Sequence, residues 1–140
     1  MQPFSLFAGA PAGFESCLLD PSIAIAAAQA GAVGVLDCEF ASPEVTATAL
    51  AQLARRAASG TFALKIAPAQ WPQLAALATL SELGRSGRLG WVVLTLGGVA
   101  ADTAHAALAE VVPQLRERGL RVLGEVTSSP EAKLATLLAP

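Results

Sequence analysis

Apolar residues gather along this chain in five short runs that begin near Phe4, Val33, Phe62, Trp91 and Leu120, at intervals of about 30 residues. Each run is followed by a stretch with helical spacing. The first strand is Phe4-Ser5-Leu6-Phe7-Ala8, and a long loop with Gly9, Pro11 and Gly13 follows it. Asp20 and Pro21 then start a helix over Ser22–Ala30, with the acidic side chain as cap and proline where a missing N–H costs nothing. That helix is almost wholly Ala and Ile, which predicts packing on all sides, and Gly31 ends it.

The later units repeat the scheme. Val33-Gly34-Val35-Leu36-Asp37 reads as a strand buried on both faces of a parallel sheet, and Ser42-Pro43-Glu44 opens the next helix. Phe62–Ile66 is the third strand, with one helix from Trp71 to Leu80 after it. Trp91–Leu96 is the fourth strand, followed by Gly97-Gly98 and a helix from about Asp102 to Arg118 that contains Pro113. Leu120–Val126 is the fifth, and Ser129-Pro130-Glu131 repeats the Ser/Asp-Pro helix start.

Strands alternating with helices predict parallel pairing and right-handed crossovers in a single α/β domain over residues 1–140. Two architectures fit. One is the N-terminal part of a TIM (β/α)₈ barrel, about five units with strands in sequence order. The other is a flavodoxin-like, doubly wound sheet of order 2-1-3-4-5, which five strands would complete.

Composition narrows the function classes. Hydrophobic residues make up 54% of the chain and charged ones only 14%, well below the ordinary ~25%. Such an oily average leads us to expect apolar surface covered by further barrel, by a parent multienzyme or by self-association. The net charge of −2 lacks a basic cluster, which speaks against nucleic acid. No apolar stretch reaches the ~18 residues of a membrane span without turn signals. The two cysteines, Cys17 and Cys38, lack metal-type spacing and suit a reducing cytoplasm.

In either architecture the functional side is the carboxyl end of the strands. The residues there are Gly9 and Ala10, then Asp37, Cys38 and Glu39, then Lys65, then Thr95 with Gly97-Gly98, then Glu125 and Thr127. Lys65 interrupts an otherwise dry strand. Its flexible stem can carry an ammonium to a phosphate or a cofactor ring, form a Schiff base, or pair with Asp37, Glu39 or Glu125. Asp37 and Glu39 flank Cys38 and point the same way in continued strand geometry; such carboxylates serve as acid and base or anchor an ion-pair network. Cys38 is a poor nucleophile candidate, because the single histidine, His105, falls on a helix away from the strand ends. No metal site is expected.

The stretch Asp20–Asp37, a helix of small residues ending in Ala30-Gly31-Ala32-Val33-Gly34, resembles the first helix and second strand of the nitronate monooxygenase (2-nitropropane dioxygenase) family. Phe62–Ile66, Val92–Gly97 and Val122–Ala132 fall in register with that family's third to fifth units. The resemblance implies an FMN-binding oxidoreductase barrel of the nitronate-oxidising or enoyl-reducing kind. Leu36-Asp37-Cys38-Glu39-Phe40 looks most like barrel domains embedded in polyketide synthases. By the same resemblance Gly9 and Ala10 approach the flavin through backbone and Lys65 faces it. Thr95 stands where nitronate oxidisers carry histidine, a departure that weighs against nitronate oxidation. Lys65, Glu125 and Asp37 are therefore the candidate catalytic residues, and Gly9, Ala10, Lys65 and Thr95 the candidate cofactor contacts. The family's glycine-rich phosphate-binding segments come after its fifth unit, so these residues alone are expected not to hold FMN tightly. The rival expectations are a non-catalytic α/β docking module and an aldolase-like barrel fragment that uses Lys65.

Overall fold

Five parallel strands lie in sequence order, β1-β2-β3-β4-β5, in a computed structural model of the chain that describes residues 7–8, 19–57, 60–96 and 101–125. The strands are β1 (Phe7–Ala8), β2 (Gly34–Asp37), β3 (Phe62–Ile66), β4 (Leu89–Thr95) and β5 (Arg121–Glu125). Between them come α1 (Ser22–Gln29), α2 (Pro43–Arg56), α3 (Trp71–Leu74), α4 (Ala78–Arg85) and α5 (Ala101–Glu117). Gly9, Ala10, Gly97-Gly98, Thr127 and the helix start at Ser129 lie outside the described residues.

The order decides between the two architectures. Right-handed crossovers that always step to the next strand put every helix on one face of the sheet. A flavodoxin-like sheet reverses direction after its first two strands and carries helices on both faces. The observed order excludes that alternative and is the order of a (β/α)₈ barrel.

Register sorts the side chains into two faces. Leu36, Leu64, Ile66, Val92 and Leu94 point to the helices and are at most 1% exposed. They share one core with Ala24 and Ile25 of α1, Leu50 and Leu53 of α2, Leu80 and Leu83 of α4, and Leu108 and Leu115 of α5. The opposite face carries Val35 and Asp37, Ala63 and Lys65, Trp91, Val93 and Thr95, then Arg121, Leu123 and Glu125. Among the described residues it is less covered: Val35, Trp91 and Val93 are half-buried, and Leu123 is 49% exposed. β2 therefore alternates in burial, where its apolar run predicted a strand covered on both sides.

Local chemistry explains the element boundaries. Asp20 Oδ1 accepts from the Ser22 amide at 2.9 Å and the Ser22 hydroxyl at 2.6 Å at the entry to α1, but Pro21 rather than Asp20 takes the cap position, one residue later than predicted. Gly31, at φ +87°, closes the helix with Ala32 N–H donating to Ala27 O at 3.0 Å. α1 buries Ala24, Ile25 and Ala28 but leaves Ile23 exposed, so its apolar composition overstated its packing. Gly34 lets β2 meet α1 closely: a Cβ there would lie 2.0 Å from the Ala24 carbonyl oxygen. Ser42 Oγ accepts from the Val45 amide at 3.2 Å and caps α2, whose last carbonyls receive the Arg88 guanidinium at Leu53, Ala54 and Ala57.

The helix predicted from Trp71 to Leu80 is two helices with a break at residues 75–77. Trp71, Leu74, Leu77, Leu80 and Leu83 recur every third position, while an α-helix turns once per 3.6 residues. One continuous helix would carry the later leucines away from the core. The break resets the phase, so that Leu80 and Leu83 face inward as Trp71 and Leu74 do.

Candidate functional site

Lys65 leaves β3 on the less covered face, in the same cross-strand row as Asp37, Val93 and Leu123. The residue is only 7% exposed. Nζ lies 3.0 Å from Glu125 Oε2 and 3.6 Å from Asp37 Oδ2. Glu125 shares its row with Thr95, two residues nearer the carboxyl edge, so the lysine reaches across β4 toward that edge. One side chain thus ties β2, β3 and β5 together, and the structure unites all three candidate catalytic residues.

The electrostatics follow from that geometry. Burial works to lower the Lys65 pKa. The hydrogen bond to Glu125 and the charges of Asp37, Glu125 and Glu39 outweigh it, and the net shift is upward. Lys65 is therefore an ammonium at neutral pH, a hydrogen-bond donor and point charge. A Schiff-base lysine needs the opposite shift, toward a free amine, so the geometry works against the aldolase-like alternative.

The turn after β2 shapes the acidic side of the cluster. Cys38 N–H donates to Lys65 O at 2.8 Å as the last rung of the ladder. Asp37 Oδ1 accepts from the Glu39 amide at 3.1 Å, leaving Oδ2 toward Lys65. β2 stops at Asp37, so Glu39 acts on Lys65 from this turn rather than from a continued strand. The Cys38 side chain points into the core. Burial pushes its thiol up to about 12, despite a small opposing contribution from Thr46, and nearby Asp37 adds to the rise. Such a thiol is inert at neutral pH. Thr95 is buried and its hydroxyl donates to Ile66 O at 3.4 Å. His105 is exposed on α5, away from the cluster.

Gln70, beside the cluster, makes contacts that the sequence reading overlooked. Its side chain bridges the turn after β2 and the loop after β3. The signal was present: a proline at the first helical position with glutamine three residues after the cap, Ala67-Pro68-Ala69-Gln70, is the reaching-back half of a capping box.

A groove of about 340 Å³ between α4 and α5, lined by Ser81, Arg85 and Glu117 among others, lies in the outer helical layer. Arg118 on its rim already serves structure: it donates to Ala75 O at 2.9 Å and stacks 5.1 Å from the Trp71 ring centroid. Among the described residues no three His, Cys, Asp or Glu side chains group as metal ligands, and no helix is long and apolar enough to cross a membrane.

The donor set bears on the FMN implied by the sequence resemblance. The Lys65 ammonium suits the carbonyl and nitrogen acceptors along one edge of a flavin ring. Among the described residues at the carboxyl ends of the strands, nothing suits the phosphate, since the one cation there stands among Asp37, Glu39 and Glu125.

The sequence matches no family profile and no curated protein. Among solved structures the chain is similar to FabK from Thermotoga maritima, with a TM-score of 0.59, 19% identity and 94% of this chain covered. The match spans 37% of the FabK chain. At that identity the likeness is one of fold, and it agrees with the barrel order of the strands.

Proposed function

We propose that these residues form the early β/α units of an FMN-dependent oxidoreductase barrel, with Lys65, held by Asp37 and Glu125, at the flavin side of the site. The observation that carries this is the clamped ammonium at the carboxyl edge of a sheet whose strands run in barrel order. The family resemblance of Asp20–Asp37 and the fold likeness to FabK support it.

FMN, when bound, supplies the hydride and electron chemistry. The protein's own part is to aim a charged donor. Asp37 and Glu125 orient the ammonium and keep it protonated, and Lys65 donates to an acceptor on the ring edge. The Thr95 hydroxyl lies in the row of Glu125 and marks the edge of the same surface. Gly9 and Ala10 are assigned the backbone approach to the ring on the resemblance alone. Threonine in place of the nitronate oxidisers' histidine favours enoyl reduction, in a cytoplasmic polyketide- or fatty-acid-type multienzyme.

Equilibrium dialysis of riboflavin and FMN against the wild-type chain and Lys65→Met tests this reading. Weak retention of both flavins to a similar extent, lost in Lys65→Met, is expected. Absence of riboflavin retention by the wild type would sink the flavin reading, and FMN surviving gel filtration at one per chain would refute the expectation that these residues hold it weakly. A second reading, a non-catalytic module docking on other polypeptide or on its own copy, draws on the 49% exposure of Leu123. It expects concentration-dependent association without flavin retention.

A further inference from the structure

The turn after β2 is held in an unusual way for a segment that shapes a charged site. Its apex residue, Phe40, is 94% exposed and contributes no packing. The turn closes on itself through Ala41 N–H donating to Cys38 O at 3.1 Å. Its base is anchored by Cys38, buried in the core and bonded through its N–H to Lys65 O, and Ala41 packs against that core; the side chain that ties it to the neighbouring loop is Gln70. Gln70 Nε2 donates to Cys38 O at 2.7 Å and to Ala41 O at 3.3 Å, while Oε1 accepts from the Ala67 amide at 2.7 Å.

Both amide hydrogens and the amide oxygen are therefore engaged. Flipping the group would set its oxygen against two carbonyls and its NH₂ against an N–H, so the orientation is fixed. The same turn presents the Glu39 amide to Asp37 Oδ1, which turns Oδ2 toward Lys65. If the turn opened, Asp37 would lose the contact that orients it.

We infer that Gln70 is a positioning residue of the Lys65 site: by joining the loop after β3 to the turn after β2, it holds the Asp37 carboxylate on the Lys65 ammonium. This rests on reading the Asp37–Lys65–Glu125 cluster as the site. It needs no flavin for its test, so the two claims fail separately.

The chain has two lysines, Lys65 and Lys133, so ¹³Cε-lysine labelling gives two signals, and Lys65→Met assigns the site one. The test compares wild type, Gln70→Met, Asp37→Asn and the double variant. In Gln70→Met the Glu39 and Ala41 amides are expected to exchange about tenfold faster or more, the worth of roughly one hydrogen bond, while Leu64 and Leu94 keep wild-type protection. The Lys65 titration midpoint is expected to fall in Gln70→Met. In the Asp37→Asn background the same change is expected to leave it unmoved. An unchanged Lys65 titration in Gln70→Met would overturn the proposal. So would an equal shift in both backgrounds, which would show Gln70 acting independently of Asp37. Should Gln70→Met fail to fold, Gln70→Glu keeps the acceptor for Ala67 and removes both donors, and unchanged exchange at Glu39 and Ala41 would then count against the role.

Discussion

A lysine 7% exposed stays charged only if its partners offset the lost water. Lys65 has Glu125 at 3.0 Å and Asp37 at 3.6 Å, both in part open to solvent. Replacing it with methionine leaves two carboxylates that can turn to water, so the expected cost is about 1–2 kcal/mol, below that of stranding a fully buried charge. The pH dependence has a definite sign. The folded pKa of Lys65 lies above the ordinary lysine value of 10.5, so its stabilisation is fully present below that value and fades as pH rises through the folded one. The buried Cys38 thiol adds a loss of its own above its ordinary 9.0. Chemical denaturation from pH 7 to 11 therefore isolates Lys65 by difference: the gap between wild type and Lys65→Met is expected to stay level to about pH 10 and to narrow above it. A gap that widened at high pH would contradict the clamped ammonium. The sequence showed Lys65 as a charge in a dry strand and named its partners as candidates. It did not show that the cluster holds the lysine protonated rather than activating it as a free amine, because that depends on Glu125 arriving across β4.

At the scale of the elements, glycine and proline punctuation carried most of the information. Asp20-Pro21 and Ser42-Pro43 mark the starts of α1 and α2, and Gly31 marks the end of α1. The Gly31-Ala32-Val33-Gly34 run on which the family resemblance leans has a physical reason: one glycine takes a left-handed turn and the other lets strand and helix backbones touch. Gly34→Ala is accordingly expected to cost about 3 kcal/mol or more, since the methyl meets a backbone oxygen that no rotamer change can move. Gly84→Ala, with open space around it in a helix, is expected to be neutral or slightly stabilising. Thermal unfolding of the two variants checks the contrast, and equal midpoints would refute the close approach. The α3–α4 break was legible in the period-three spacing of Trp71 to Leu83, which a search for helical stripes passes over.

For the whole molecule, strand order is what turns a list of β/α units into a surface. Five runs at similar intervals could not choose between a barrel and a doubly wound sheet, because both alternate strand and helix. The parallel order with helices on one face does choose, and it leaves Val35, Trp91, Val93 and Leu123 on a face that the described helices do not cover. That face leads up to the Lys65 cluster at its carboxyl edge, where barrel enzymes keep their chemistry. The central claim, that this edge is the flavin side, is tested most directly by adding riboflavin to ¹³Cε-lysine-labelled protein. The Lys65 signal is expected to move saturably, and not to move in Glu125→Gln/Asp37→Asn protein, whose ammonium is no longer aimed. A Lys65 signal that ignores riboflavin, or that moves equally in the Glu125→Gln/Asp37→Asn protein, would contradict it.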